Sequence, residues 1–220
     1  MRQKLAIPAV IIVIVFAAGA AAWVVWNDAA DESIQEPTTT ASGIPTAIVE
    51  PVGPVPLAGI VQEPDLNRPI KVLASLSDTA AAKAVTRIGE LNAELSKDST
   101  LFSSWMELAV NRKLIGDYAA TEEIWLYVTQ NWAGDPVAYN NLADLYLMAL
   151  HDNERAEIYL LLAIKKEPTQ VIFYENAYSF YRFVKKDLVK AEQILEEGIA
   201  KNQTNDAGLK KLLADMKAGG

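Results

Sequence analysis

The chain has 220 residues, 51% of them apolar, and a formal net charge of −8. It holds no Cys and a single His, which excludes disulfides, thiolate nucleophiles and Cys-ligated metal sites. Its 20 Lys and Arg form no cluster against 28 Asp and Glu, which argues against nucleic acid as a partner, because a phosphate backbone needs concentrated positive charge.

After Met1-Arg2-Gln3-Lys4 the chain runs from Leu5 to Trp26 without a charge. Those 22 residues would measure about 33 Å as a helix, enough for a hydrocarbon core of about 30 Å. Trp23 and Trp26 close the run at the depth where indole rings favour the membrane interface. With Arg2 and Lys4 before it and Asp28, Asp31 and Glu32 after it, residues 1–26 are predicted to be a single-pass transmembrane anchor. The N-terminus then lies in the cytoplasm and the remainder outside it. The competing reading is a cleaved signal peptide that releases the rest as a secreted protein, with Ala18-Gly19-Ala20 or Ala20-Ala21-Ala22 at the cleavage site. The anchor fits better, because the apolar stretch continues through Trp23-Val24-Val25-Trp26.

Residues 27–76 carry seven of the 10 prolines and read as a disordered, Pro-rich linker. Its end differs: Leu66, Ile70, Val72, Leu73 and Leu76 surround Arg68-Pro69 and Lys71, apolar enough to dock as an extended strand on the surface of the repeats.

Residues 77–220 are predicted to be helical. Ala84, Ile88, Leu91 and Leu95 follow a 4, 3, 4 spacing with Asp78 as the expected N-cap, giving a capping helix over about 78–96. Three units come next, at about 101–134, 135–169 and 170–204, and a last amphipathic helix over about 206–217 closes the chain. Trp105, Tyr139 and Tyr174 stand 34 and 35 residues apart, and Thr121, Ala156 and Ala191 stand 35 and 35 apart. Trp125, Leu160 and Leu195 keep the same step. Gly116-Asp117 and Asp135-Pro136 supply turns, caps and helix starts, and Pro168 a stop. A period of this length marks units that bury their apolar faces by stacking on one another.

Little in this region points to chemistry. Glu122-Glu123 and Glu196-Glu197 are adjacent on helices and so splay about 100° apart, and His151 sits in a turn without a ligand or triad constellation. Trp105, Trp125, Tyr139, Tyr146, Tyr174 and Tyr181 take core positions of the repeat and do not read as a ligand box. No enzyme activity, cofactor, metal or small-molecule substrate is expected.

The pattern of Tyr139, Leu142, Ala143 and Tyr146, followed by Ala156, Leu160, Ala163 and Pro168, resembles the tetratricopeptide repeat. Units one and three match it with departures: Arg112 stands where the family prefers Tyr, Tyr178 where it prefers Gly or Ala, and Gln203 where the closing Pro would be. The turn at His151-Asp152-Asn153 is one residue longer than the family's. The resemblance implies an all-α solenoid of antiparallel helix pairs with N- and C-terminal capping helices, here preceded by one transmembrane helix. It also implies a protein-binding scaffold whose first helices line a concave groove. Mapped onto this chain, the groove holds Met106, Val110, Lys113, Asn140, Asn141, Asp144, Met148, Ile172, Glu175, Asn176, Ser179 and Arg182. Asparagine amides there suit an extended peptide backbone, and Met adapts to varied side chains. Asn141 matches one position of the carboxylate clamp found in part of the family, while Met106, Val110, Ile172 and Asn176 replace others. The expected function is a membrane-tethered scaffold that binds a protein or peptide on the extracytoplasmic side in assembling an envelope complex. The alternative is a structural protein that forms homo-oligomers and has no separate partner.

Overall fold

The computed structural model describes residues 12–15, 22–25 and 61–219, and the chain divides into two units between Ile44 and Pro45. In the first unit β1 (Ile12–Val15) pairs antiparallel with β2 (Ala22–Val25), with Ile12 opposite Val25. These eight residues fall inside the apolar run expected to form one helix. The rest of that run lies outside the described residues. Among the described residues no helix is long and apolar enough to cross a membrane.

From Asp78 the second unit is built of helices: α1 (Asp78–Leu95), α2 (Phe102–Leu114), α3 (Tyr118–Asn131), α4 (Pro136–Met148), α5 (Asn153–Lys166), α6 (Val171–Ser179), α7 (Leu188–Lys201) and α8 (Ala207–Ala218). A π-helical turn over Phe180–Val184 extends α6. The apolar spacing of α1 puts Ala84, Ile88, Leu91 and Leu95 on one buried face. Its cap is Ser77 and not the expected Asp78. The Ser77 backbone is already extended and its hydroxyl accepts from Ala80 N at 3.3 Å, which leaves Asp78 in the first turn where its charge meets the positive helix end.

The turns inside the three helix pairs repeat in detail. Gly116, His151 and Lys186, 35 residues apart, all have positive φ, and each precedes an aspartate. Those aspartates, Asp117, Asp152 and Asp187, cap α3, α5 and α7 by accepting from Ala120, Arg155 and Lys190 amides. Their own amides donate back to Arg112, Tyr146 and Tyr181 carbonyls. The longer second and third turns are absorbed by widening the preceding helix end, because Leu150 N donates to Leu145 O and Lys185 N to Phe180 O, both five residues back.

Helices pack mainly on their neighbours in chain order, and α8 rests on both α7 and α6. Side-chain bonds bring the three turns to one end of the second unit. Lys113 at the end of α2 pairs with Asp144 near the end of α4. Tyr146 donates to Glu122 at the start of α3, and Arg155 at the start of α5 holds the same carboxylate. Tyr181 and Lys190 hold Glu157 in the same way one unit later. Trp105, Trp125, Tyr139, Tyr146, Tyr174 and Tyr181 are all buried in the continuous core. Gly198 lets α6, α7 and α8 close together, since a Cβ there would lie 2.8 Å from Leu209 Cδ1 and from Tyr174 Cγ.

The end of the expected linker is not free. Residues 61–77 form a strap along α2 and α3, and Leu66, Ile70 and Leu76 pack against the core. Val61 N donates to Gln130 Oε1, Arg68 pairs with Glu123, and Leu73 N and Ala74 N both donate to Ile115 O. The strap therefore runs antiparallel to α3. Linker composition failed as a guide here because the apolar side chains recur often enough to be buried, and the prolines cost no donors the docking uses.

Candidate functional site

The groove residues named from the sequence all lie on α2, α4, α6 and the π-helical turn after it. Met106, Val110 and Ile172 are partly buried against the core, and Met148 is exposed. Asn140 and Asn141 are buried, at 4% and 8% exposure. The structure brings several of these residues together, but mostly to satisfy one another.

Lys113 and Asp144 form an ion pair between α2 and α4. Burial lowers the Lys113 pKa and raises that of Asp144, in each case against the attraction of the other. Two groups pushed toward neutrality in this way tie helices together and are poorly placed to meet a ligand. Between α4 and α6, Asn176 Nδ2 donates to Asn140 Oδ1 at 2.9 Å. That bond occupies two of the amides expected to bind peptide. Ser179 Oγ donates to Glu175 O on its own helix, and Arg182 stacks on the Tyr178 and Phe183 rings. Glu175 sits against the first turn of α8, its Oε1 3.2 Å from where a Gly208 Cβ would be, and burial raises its pKa. The C-terminal helix thus covers part of the third unit's share of the face.

Asn141 is different. It occupies in unit two the position of Asn176 in unit three, 35 residues on, but the place held by Asn140 falls 34 residues earlier to Met106. A thioether is at best a weak acceptor. The asparagine pair of α4 and α6 therefore has no counterpart between α2 and α4. Asn141 is 8% exposed as a residue, and its amide bonds to no other described residue.

Three of the four carboxylates considered for acid–base work are engaged. Glu122 is held by Tyr146 and Arg155, Glu123 by Arg68, and Glu196 lies 3.6 Å from Lys217. Glu197 is raised by burial, with one oxygen lacking a hydrogen bond. His151 is an exposed turn residue at φ 53°. Among the described residues no three His, Cys, Asp or Glu side chains gather as metal ligands would.

Sequence reasoning missed Arg112. Only 2% exposed, it pairs with Asp117 Oδ2 at 3.0 Å, while its other contacts run to the strap: Nη1 to Pro69 O at 3.2 Å and Nη2 to Arg68 O at 3.1 Å. The signal was visible as an arginine in a position that Tyr146 and Tyr181 fill in the next two units.

Neither a protein-family model nor a curated protein matches the sequence.

Proposed function

We propose that residues 77–220 are a tetratricopeptide-like solenoid that binds an extended peptide segment of another protein along α2, α4 and α6. The observation that carries this reading is Asn141, a largely buried residue whose amide makes no hydrogen bond to another described residue, on the helix between two that offer Met106, Val110 and Ile172. A side-chain amide that no other group of the fold holds can bond both the N–H and the C=O of an extended backbone, while the apolar residues beside it take side chains. The 35-residue recurrence of left-handed turns and aspartate caps supports the repeat assignment. A face on which Lys113, Asp144, Asn140, Asn176 and Ser179 are already held needs little ordering when a peptide arrives.

The tether in this reading is the uncharged run from Leu5 to Trp26, with the helical unit on the extracytoplasmic side, in an envelope assembly. An open two-stranded sheet leaves unpaired edges that hydrocarbon cannot satisfy, so inside a bilayer the run takes the helical form that its length allows. Photo-crosslinking tests the whole reading. A crosslinking residue in place of Met106 or Val110, in the full chain in its native membranes, is expected to capture one protein that the same residue in place of Lys165 does not. Identical capture from both places would refute the groove.

A further inference from the structure

The strap ahead of α1 is held as a bound peptide is held. Arg112 donates to the carbonyls of Arg68 and Pro69, Ile115 O accepts from the Leu73 and Ala74 amides, and Arg68 pairs with Glu123. Leu66 and Ile70 pack against the core beside these bonds. The charges of the strap cancel, Glu63 and Asp65 against Arg68 and Lys71, in a chain of net charge −8. It joins the helices through Ser75, Leu76 and Ser77, the last of them the cap of α1. The face on α2 and α3 therefore recognises a segment that every copy of the chain carries, and a strap from another copy would make the same bonds without adding net charge.

Where the strap leaves this face for α1, the surface is apolar. Leu73 is 68% exposed, the most of any large apolar side chain among the described residues, and Leu114 and Tyr118 are exposed as well. The three form one patch, because Leu73 Cβ lies 3.3 Å from where a Gly116 Cβ would be, in the turn between Leu114 and Tyr118. Three side chains, each already partly covered, fall short of the roughly 800 Å² that each partner gives to a stable interface. The patch alone does not hold another molecule. Its place beside the connection to α1 is what tells which molecule covers it. When two copies exchange a terminal segment, their connections cross near a two-fold axis, and the surface flanking one connection faces the same surface of the other copy.

We infer that two copies of this chain pair by exchanging straps, residues 61–74 of each lying on α2 and α3 of the other, with the patches of Leu73, Leu114 and Tyr118 meeting across the axis. The pairing goes beyond the peptide groove and does not depend on it. Exchange keeps the strap bonds and adds the cover of the patch, while joining two molecules costs translational freedom. Closed single copies therefore prevail when the protein is dilute and exchanged pairs when it is dense.

The chain has no cysteine, so introduced thiols report the exchange directly. Arg68→Cys in the strap and Glu123→Cys on α3 replace the two sides of a surface ion pair, whose loss alters stability little. Full-length copies carrying one thiol each, tagged to differ in size, are mixed in detergent, warmed below the melting temperature and treated with a short bismaleimide. Circular dichroism confirms that each variant folds. A crosslink between the Arg68→Cys copy and the Glu123→Cys copy is expected, its yield rising about in proportion to protein concentration in the dilute range. Leu73→Asp in both copies places a charge at the axis and should lower that yield about tenfold, while the crosslink inside one chain that carries both thiols persists. A mixed crosslink that Leu73→Asp leaves unchanged would overturn the placing of the patch on the axis. Crosslinks confined to the doubly substituted chain at every concentration would overturn the exchange. So would pairs that crosslink through Leu73→Cys but never between strap and α3.

Discussion

Arg112 Nη1 lies 3.2 Å from Pro69 O, and through that bond a buried cation of α2 fixes a segment 43 residues earlier in the chain. The same guanidinium reaches Arg68 O and Asp117, so the strap and the first turn share one clamp. Replacing it leaves carbonyls and a carboxylate without their donor. Arg112→Met is expected to cost about 2–4 kcal/mol in a denaturant titration. Arg112→Tyr, which restores the residue found at the equivalent places in units two and three, should keep the helices and free the strap. Fast hydrogen exchange at the Leu73 and Ala74 amides would show it.

Gly116 is under two constraints at once. Its φ of 82° disfavours any side chain, and a Cβ there would lie 2.9 Å from Ala74 N in the strap backbone. Gly116→Ala is expected to lower stability by about 1–3 kcal/mol and to release the strap with it. Thermal unfolding together with exchange at Ala74 checks both parts, and a strap that stays protected would refute the contact.

For Gly198 the constraint is packing alone. Alanine would favour the helix by about 1 kcal/mol, but its methyl group would meet Leu209 and Tyr174 at 2.8 Å, inside contact distance. Overpacking of that kind costs about 1–3 kcal/mol, so Gly198→Ala should be net destabilising and should loosen α8 first. Protease cutting ahead of α8, near residues 203–205, reads this loosening.

Glu175 gives a dependence on pH. Burial raises its pKa above the ordinary 4.5, so the folded state binds the proton more tightly than the unfolded chain does. Stability from this group is complete below the unfolded pKa and is lost as pH rises through the folded one. Glu175→Gln should therefore raise the melting temperature at neutral pH and have no such benefit at pH values below 4.5. An equal effect at both would remove Glu175 as the cause.

The helices were legible in the sequence because their signals are local: apolar spacing in α1, aspartate before α3, α5 and α7, and proline at the start of α4. The strap was only half legible. Leu66, Ile70 and Leu76 announced that the segment could dock, but where it docks depends on Arg112 and Ile115, which are distant in the chain. The groove fared similarly. Its residues lie on α2, α4, α6 and the π-helical turn, yet pairings such as Lys113 with Asp144 and Asn140 with Asn176 join different helices and obey no short-range pattern. That pairing also changes how a groove variant is read: Asp144→Lys would break a structural ion pair and test folding, whereas Asn141→Ala removes an amide with no hydrogen-bond partner among the described residues.

Binding at Asn141 is thus the measurement to make first. Linear peptides selected from a random library against the full chain in detergent would be titrated calorimetrically against the intact protein and Asn141→Ala. An affinity about tenfold weaker for the variant, with an unchanged melting temperature, is the expected outcome. Equal affinity for both proteins would move recognition off the α2, α4 and α6 face.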